Sequence, residues 1–166
     1  MPRPLARIAA GIAALLLVTN CTAANEATQI SRSAPQQAAA EASVVKPNDL
    51  ACLAEAIYFE ARGTGTTGES AVAHVVVNRA KSAEFPRSVC GVVADGCQFS
   101  YRCDGNSDHL ADPKSRAKAY QVAETVLAGA PDITKGALFF HSARANPGWF
   151  SSRPRVGTFG GNVFYR

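Results

Sequence analysis

Glu60 is the residue on which chemistry in this chain can be built. It lies in "AIYFEARGTG", residues 56 to 65, at the close of an apolar helical pattern and just ahead of Arg62, Gly63 and Gly65. At roughly 100° per residue, Glu60 falls about 20° from Leu53 around a helix axis, at the edge of the apolar stripe. Glu55 falls on the opposite side and reads as a solvated surface charge. A carboxyl at an apolar edge can stay protonated near neutral pH and serve as a general acid. Arg62 projects about 200° away from Glu60 and reads as a loop or structural ion partner.

Other chemistries lack their residues. His74, His109 and His141 are far apart, with no H-E-x-x-H or paired-His spacing, so no metal site is expected, and His74 reads as a core helix residue. A serine nucleophile would bring G-x-S-x-G, which is absent. Beyond Cys21, four cysteines remain, Cys52, Cys90, Cys97 and Cys103, without the C-x-x-C pair that structural zinc sites commonly use. An even number in an exported chain predicts two disulfides. Three pairings are open. We expect Cys97–Cys103 to close a short local loop, leaving Cys52 to tie the first helix to Cys90. Acid catalysis by a carboxylate, with no cofactor, is what remains.

The elements that must position these groups follow from periodicity. Asn48 can cap a helix with Asp49 in its first turn and Gly63 at its end, and Leu50, Leu53, Ala54, Ile57 and Ala61 share one face. After a Gly and Thr loop over 63–68, "ESAVAHVVVNRAK" is apolar on nearly all sides and predicts a buried helix. Asp112 and Pro113 start a third helix that Gly129 and Pro131 stop. Residues 85–110 hold three cysteines and read as a long cross-linked loop. "GALFFHS" is β-prone, and "VGTFGGNVFYR" is a hairpin around Gly160 and Gly161. The fold class expected is α+β, helices followed by a small antiparallel sheet. Phe139 and Phe140 would face opposite sides of a strand, and Trp149, beside Pro147 and Gly148, is the aromatic best placed to be exposed.

The chain has 166 residues, and its start has signal-peptide grammar: Arg3 and Arg7, an apolar run from Ile8 to Val18, then small residues to Ala24. That run is too short for the roughly 20 residues that span a bilayer. "LVTNC" loosely resembles a lipobox, so Cys21 is a candidate for lipidation and a membrane tether, against ordinary cleavage near Ala23 or Ala24. Residues 25–47 read as a flexible linker, leaving 48–166 as the domain. Without Arg3 and Arg7 the 17 basic residues become 15 against 13 acidic, a charge of +2 and no nucleic-acid footprint. An exported protein of the periplasm or cell envelope is expected.

"CLAEAIYFEARG", "AVAHVVVNR", "FPRSVCGVV", "CQFSYRCDG", "GALFFHS" and "NVFYR", in that order, resemble the SleB-type cell wall hydrolases, the family of spore cortex-lytic enzymes and their relatives. The resemblance implies a lysozyme-like or transglycosylase-like domain that cleaves peptidoglycan glycan strands between N-acetylmuramic acid and N-acetylglucosamine. Glu60 matches the family's catalytic glutamate. Gln98, Phe99 and Ser100 match a block near the substrate groove, as do His141 and Trp149 less closely. Thr64 and Thr67 stand where the family often has acids, Glu69 where it usually has Gln, and Asn162 where it often has His. The absence of an evident second acid favours a one-acid, lytic transglycosylase mechanism. Two other readings stay open: a non-catalytic peptidoglycan-binding module, which would not need Glu60, and an N-acetylmuramoyl-L-alanine amidase, which would need a metal or a nucleophile.

Overall fold

The computed structural model describes residues 45–166. The signal-like segment, Cys21 and all but the last three residues of the expected linker lie outside the described residues. Helix α1 spans Pro47–Ala61, with Pro47 at its start and Asp49 in its first turn. It therefore begins inside the expected linker and is capped by Lys46 rather than Asn48, because a proline without an N–H suits the first helical position. Helix α2 spans Gly65–Lys81 and starts four residues before Glu69, using the expected Gly and Thr loop as its first turn. Helix α4 spans Pro113–Leu127, where the Asp112 side chain accepts from the Ser115 backbone N–H at 2.6 Å. Its entry is fastened to α1, since the Asp112 N–H donates to the Tyr58 hydroxyl at 3.0 Å.

The long loop is more regular than expected. Ser88 caps a short helix α3, Val89–Val93, by accepting from the Gly91 N–H, and a single 3-10 turn covers Ser100–Cys103. Disulfides join Cys52 to Cys90 and Cys97 to Cys103, the pairing expected. The first ties α1 to α3; the second closes a local loop. Glu55 is not a free surface charge: it accepts from the Tyr101 hydroxyl at 3.1 Å and pairs with Arg102 at 3.2 Å, holding that loop to α1.

The core lies among these helices. Leu53, Ile57, Val72, Val75, Val76, Val92 and Phe99 are fully buried, and Ala54, Ala56, Ala61, Ala71 and Ala73 let the helix backbones approach closely. His74 is buried here too, its ring nitrogens facing the carbonyl oxygens of Ser70 and Ala130.

Three antiparallel strands follow, β1 (Phe139–Ser142), β2 (Arg155–Phe159) and β3 (Asn162–Tyr165), in the order β1-β3-β2. Phe140 pairs with Phe164 and His141 with Val163, while Val156 bulges out of register between Arg155 and Gly157. Gly160 and Gly161 turn the hairpin with φ of 56° and 80°, a backbone that favours glycine. The turn also touches the start of α2. A Cβ on Gly160 would stand 2.6 Å from the Gly68 Cα, and one on Gly68 would stand 2.8 Å from the Gly160 Cα. Ahead of β1, Asp132 accepts from Thr134, Asn78 and the Gly136 N–H; burial pushes its carboxyl up, but these bonds outweigh it and hold the pKa at about 2.

Candidate active site

Helix α1 ends one residue after Glu60, so this carboxyl leaves the core in the last turn and meets a cavity of about 600 Å³. Glu60 supplies one part of the wall and Arg79 of α2 another. Cys97, Gln98 and Ser100 come from the cross-linked loop. Phe139 to Ser142 of β1, Trp149, Arg153 and Asn162 complete it.

Glu60 is half-buried, and burial raises its pKa above the ordinary carboxylate value while the Arg79 cation opposes the rise. Among the described residues the only ion pairs are those of Arg102 with Glu55 and Asp108, so Glu60 and Arg79 act on each other without direct contact. Glu60 is also the only Asp or Glu on the cavity wall among the described residues. Glu69 is not on that wall; it is buried in α2 with its Oε2 unpartnered.

Arg79 was not singled out by sequence. It follows the buried Val72, Val75 and Val76 at seven, four and three residues, so helical periodicity puts it on the core face. It is buried, its Nε donates to the Leu138 carbonyl at 2.8 Å, and its Nη1 has no partner. The guanidinium carbon lies 5.0 Å from the Phe85 ring centre, 5.6 Å from Phe99 and 5.9 Å from Phe139. Burial lowers its pKa to about 10, against the pull of Asp95 and Glu60. Arg153 was missed as well, and periodicity could not have found it in an irregular connection.

His141 Nδ1 is 2.8 Å from the Ser142 carbonyl oxygen, a pure acceptor, so Nδ1 carries a proton, and Nε2 lies within hydrogen-bond distance of the Tyr165 hydroxyl at 3.0 Å. Trp149, 44 % exposed, stands edge-on to His141. Gln98 and Ser100 are exposed on the wall, but Phe99 between them is not a wall residue. Its backbone is extended, so successive side chains alternate and its ring enters the core, 1 % exposed. The expected groove block is corrected on this point: two of its three side chains reach the cavity. Phe139 and Phe140 both contribute to the wall, with Phe140 also stacked on Phe164 at 5.6 Å. Arg62 lies away from Glu60, donating to the Tyr58 hydroxyl at 2.9 Å.

A lone acid whose pKa is raised by burial, facing aromatic surfaces across a cavity, suits proton donation to an uncharged polar ligand. Among the described residues no group of three His, Cys, Asp or Glu side chains could hold a metal ion.

Helices that deliver one acid to a cleft walled by a small sheet define a lysozyme-like class of α+β domain. Residues 63–165 match the family described as cell wall hydrolase, and the chain belongs to that family. The match starts three residues after Glu60. The spore cortex-lytic enzyme of Halalkalibacterium halodurans is 32 % identical over 117 residues, 70 % of this chain and 34 % of that protein. The corresponding enzyme of Bacillus subtilis is 31 % identical, again over 70 % of this chain and 37 % of its own length. This chain thus spans little more than a third of the length of these two relatives. The catalytic domain of the germination-specific lytic transglycosylase SleB from Bacillus anthracis superposes with a TM-score of 0.61 at 29 % identity, covering 74 % of this chain and 97 % of that domain.

Proposed function

We propose that this domain cuts peptidoglycan glycan strands between N-acetylmuramic acid and N-acetylglucosamine as a lytic transglycosylase, with Glu60 as its one acid and base. The observation that carries the reading is the solitary Glu60 on the cavity wall, with its pKa raised by burial. Glycosidases that use two carboxylates need them about 5 to 9.5 Å apart across the sugar. Here no second acid shares the wall among the described residues, and Glu69 is buried elsewhere. Membership of the cell wall hydrolase family and likeness to the SleB catalytic domain support the same chemistry.

Protonated Glu60 gives its proton to the glycosidic oxygen as the C1–O bond of the muramic residue breaks. The resulting carboxylate then takes the proton of the muramic 6-hydroxyl, whose oxygen bonds to C1. An anhydro ring forms, Glu60 is protonated again, and no water is consumed. Gln98, Ser100, His141 and Trp149 line the strand's path, with Trp149 offering an aromatic face to a sugar. The signal-like start would route the domain to the periplasm or cell envelope, and a lipidated Cys21 would tether it there.

Mass analysis of fragments released from purified peptidoglycan tests this. The expected ends are 1,6-anhydromuramic, lighter by one water than hydrolytic products. Reducing muramic ends would indicate hydrolysis, release of intact stem peptides an amidase, and strand binding without any release a binding module.

A further inference from the structure

Arg153 has no part in the proton chemistry, yet it is built into the cavity. It follows the 3-10 turn Gly148–Ser152, and its backbone N–H donates to the Phe150 carbonyl at 3.1 Å. Its guanidinium carbon lies 3.5 Å from the centre of the Phe139 ring. Stacking of this kind fixes the plane of the guanidinium and leaves its N–H edges free to hydrogen-bond. No carboxylate among the described residues pairs with it, the only ion pairs there being those of Arg102.

The surroundings reinforce an unanswered positive charge. From residue 133 to the end the chain has five basic residues and no Asp or Glu. Arg79 adds a second guanidinium to the same wall, with its Nη1 buried and unpartnered. When Glu60 is protonated, the wall presents two cations and no anion among the described residues. An uncharged sugar would leave that field unmatched. A ligand with a carboxylate would match it, and a flat guanidinium fork can take both oxygens at once.

We propose that Arg153 is a specificity residue that binds a carboxylate carried by the glycan strand. Resting on the transglycosylase reading, this makes the substrate an anionic strand rather than a neutral one. Two sources offer that chemistry: the lactyl carboxylate of a peptide-free muramic residue, and the carboxylates of a stem peptide. Phe139 is the platform that orients the fork, and Arg79 contributes field from behind.

The test measures strand binding as a Kd in a Glu60→Gln background, which does not depend on cleavage. Three strand preparations of equal length are compared: peptide-bearing, peptide-stripped with free lactyl carboxylates, and peptide-stripped with those carboxylates converted to neutral methylamides. At least one anionic preparation is expected to bind about tenfold tighter than the neutral one, the size of a hydrogen bond to a charged group. Tight binding of stripped strands identifies the lactyl group as the source, and tight binding of peptide-bearing strands alone identifies the stem. Adding Arg153→Gln should erase the preference while leaving the neutral Kd unchanged, and Arg153→Lys should restore part of it. Equal binding of all three preparations, or an equal loss on all three with Arg153→Gln, overturns the proposal. Cleavage by the unmodified protein is scored separately, so inactivity on every preparation would count against the transglycosylase reading and not against carboxylate binding.

Discussion

Helix α1 and strand β1 both deliver side chains to the cavity, but they are held in opposite ways. On α1, Leu53, Ala54, Ala56 and Ile57 are at most 1 % exposed, and a disulfide fastens the helix to α3. On β1, Phe139, Phe140 and His141 are half-buried and Ser142 is exposed, held by aromatic contacts such as His141 with Tyr165 and by the Asp132 turn ahead of the strand. The acid therefore sits on the half fixed by close packing, where a small displacement would be most costly to proton transfer. The β1 side chains are the less buried, although Phe140 still packs on the core through Phe164.

Substitution at Glu60 should break this division most deeply. Glu60→Gln is expected to lower kcat by about 100- to 10,000-fold, the range for a lost general acid. Stability should move the other way. A carboxyl whose folded pKa is raised favours the fold below its unfolded pKa and loses that contribution as pH rises through the folded value. At pH 7 the unfolded carboxyl is ionised while burial in the fold opposes that charge, so the Gln variant should melt higher than the parent there, with the gap closing near pH 4.

The two disulfides differ in the kind of damage their loss would do, the first fastening α1 and the second shaping the loop that carries Gln98 and Ser100. Loop-closure entropy gives about 4 kcal/mol for Cys52–Cys90, separated by 38 residues, and about 2 kcal/mol for Cys97–Cys103, separated by 6. Double Ser replacement of the first pair should chiefly lower the denaturant midpoint. Replacement of the second should chiefly raise KM, because Gln98 and Ser100 ride on that loop.

Arg79 links the halves, since it lies on α2 and donates to Leu138 beside β1. Its cation lowers the Glu60 pKa, so its removal should raise that pKa further. In Arg79→Gln the alkaline limb of kcat/KM should move to higher pH, whereas Arg79→Lys should keep it closer to the parent profile. The smallest effect is expected at Glu69, a buried carboxylate with an unpartnered oxygen and no place on the cavity wall. Glu69→Gln keeps the shape and a buried polar atom at that place, so it should change stability by no more than about 1 kcal/mol and leave activity unchanged, read by thermal melting and a lytic assay.

Legibility in the sequence followed the range of the interactions. Glu60 at the edge of the α1 stripe, the start of α4 at Asp112, and the Gly160–Gly161 hairpin are local patterns, and each was readable. The start of α2 was misread because its Gly and Thr residues are weak helix formers, and packing at Gly68 overrides that preference. Ser88 ahead of "VCGVV" was an available cap signal for α3. Arg79 was visible as a charge on a buried stripe, but its partner Leu138 lies 59 residues away. Arg153 over Phe139 joins an irregular connection to a strand and leaves no periodic trace.

The meeting of Gly68 with Gly160 braces the sheet against the helices from a point outside the cleft. Neither residue is on the cavity wall, yet their contact seats the sheet's hairpin on the first turns of the helix that carries Arg79. One added methyl at either glycine would meet the other's Cα and Thr64, so the hairpin or the start of α2 would have to shift. The spacing of sheet and helices at this point is thus written in two residues with no side chain, and alanine at one of them would strain that joint without altering a single group on the cavity wall.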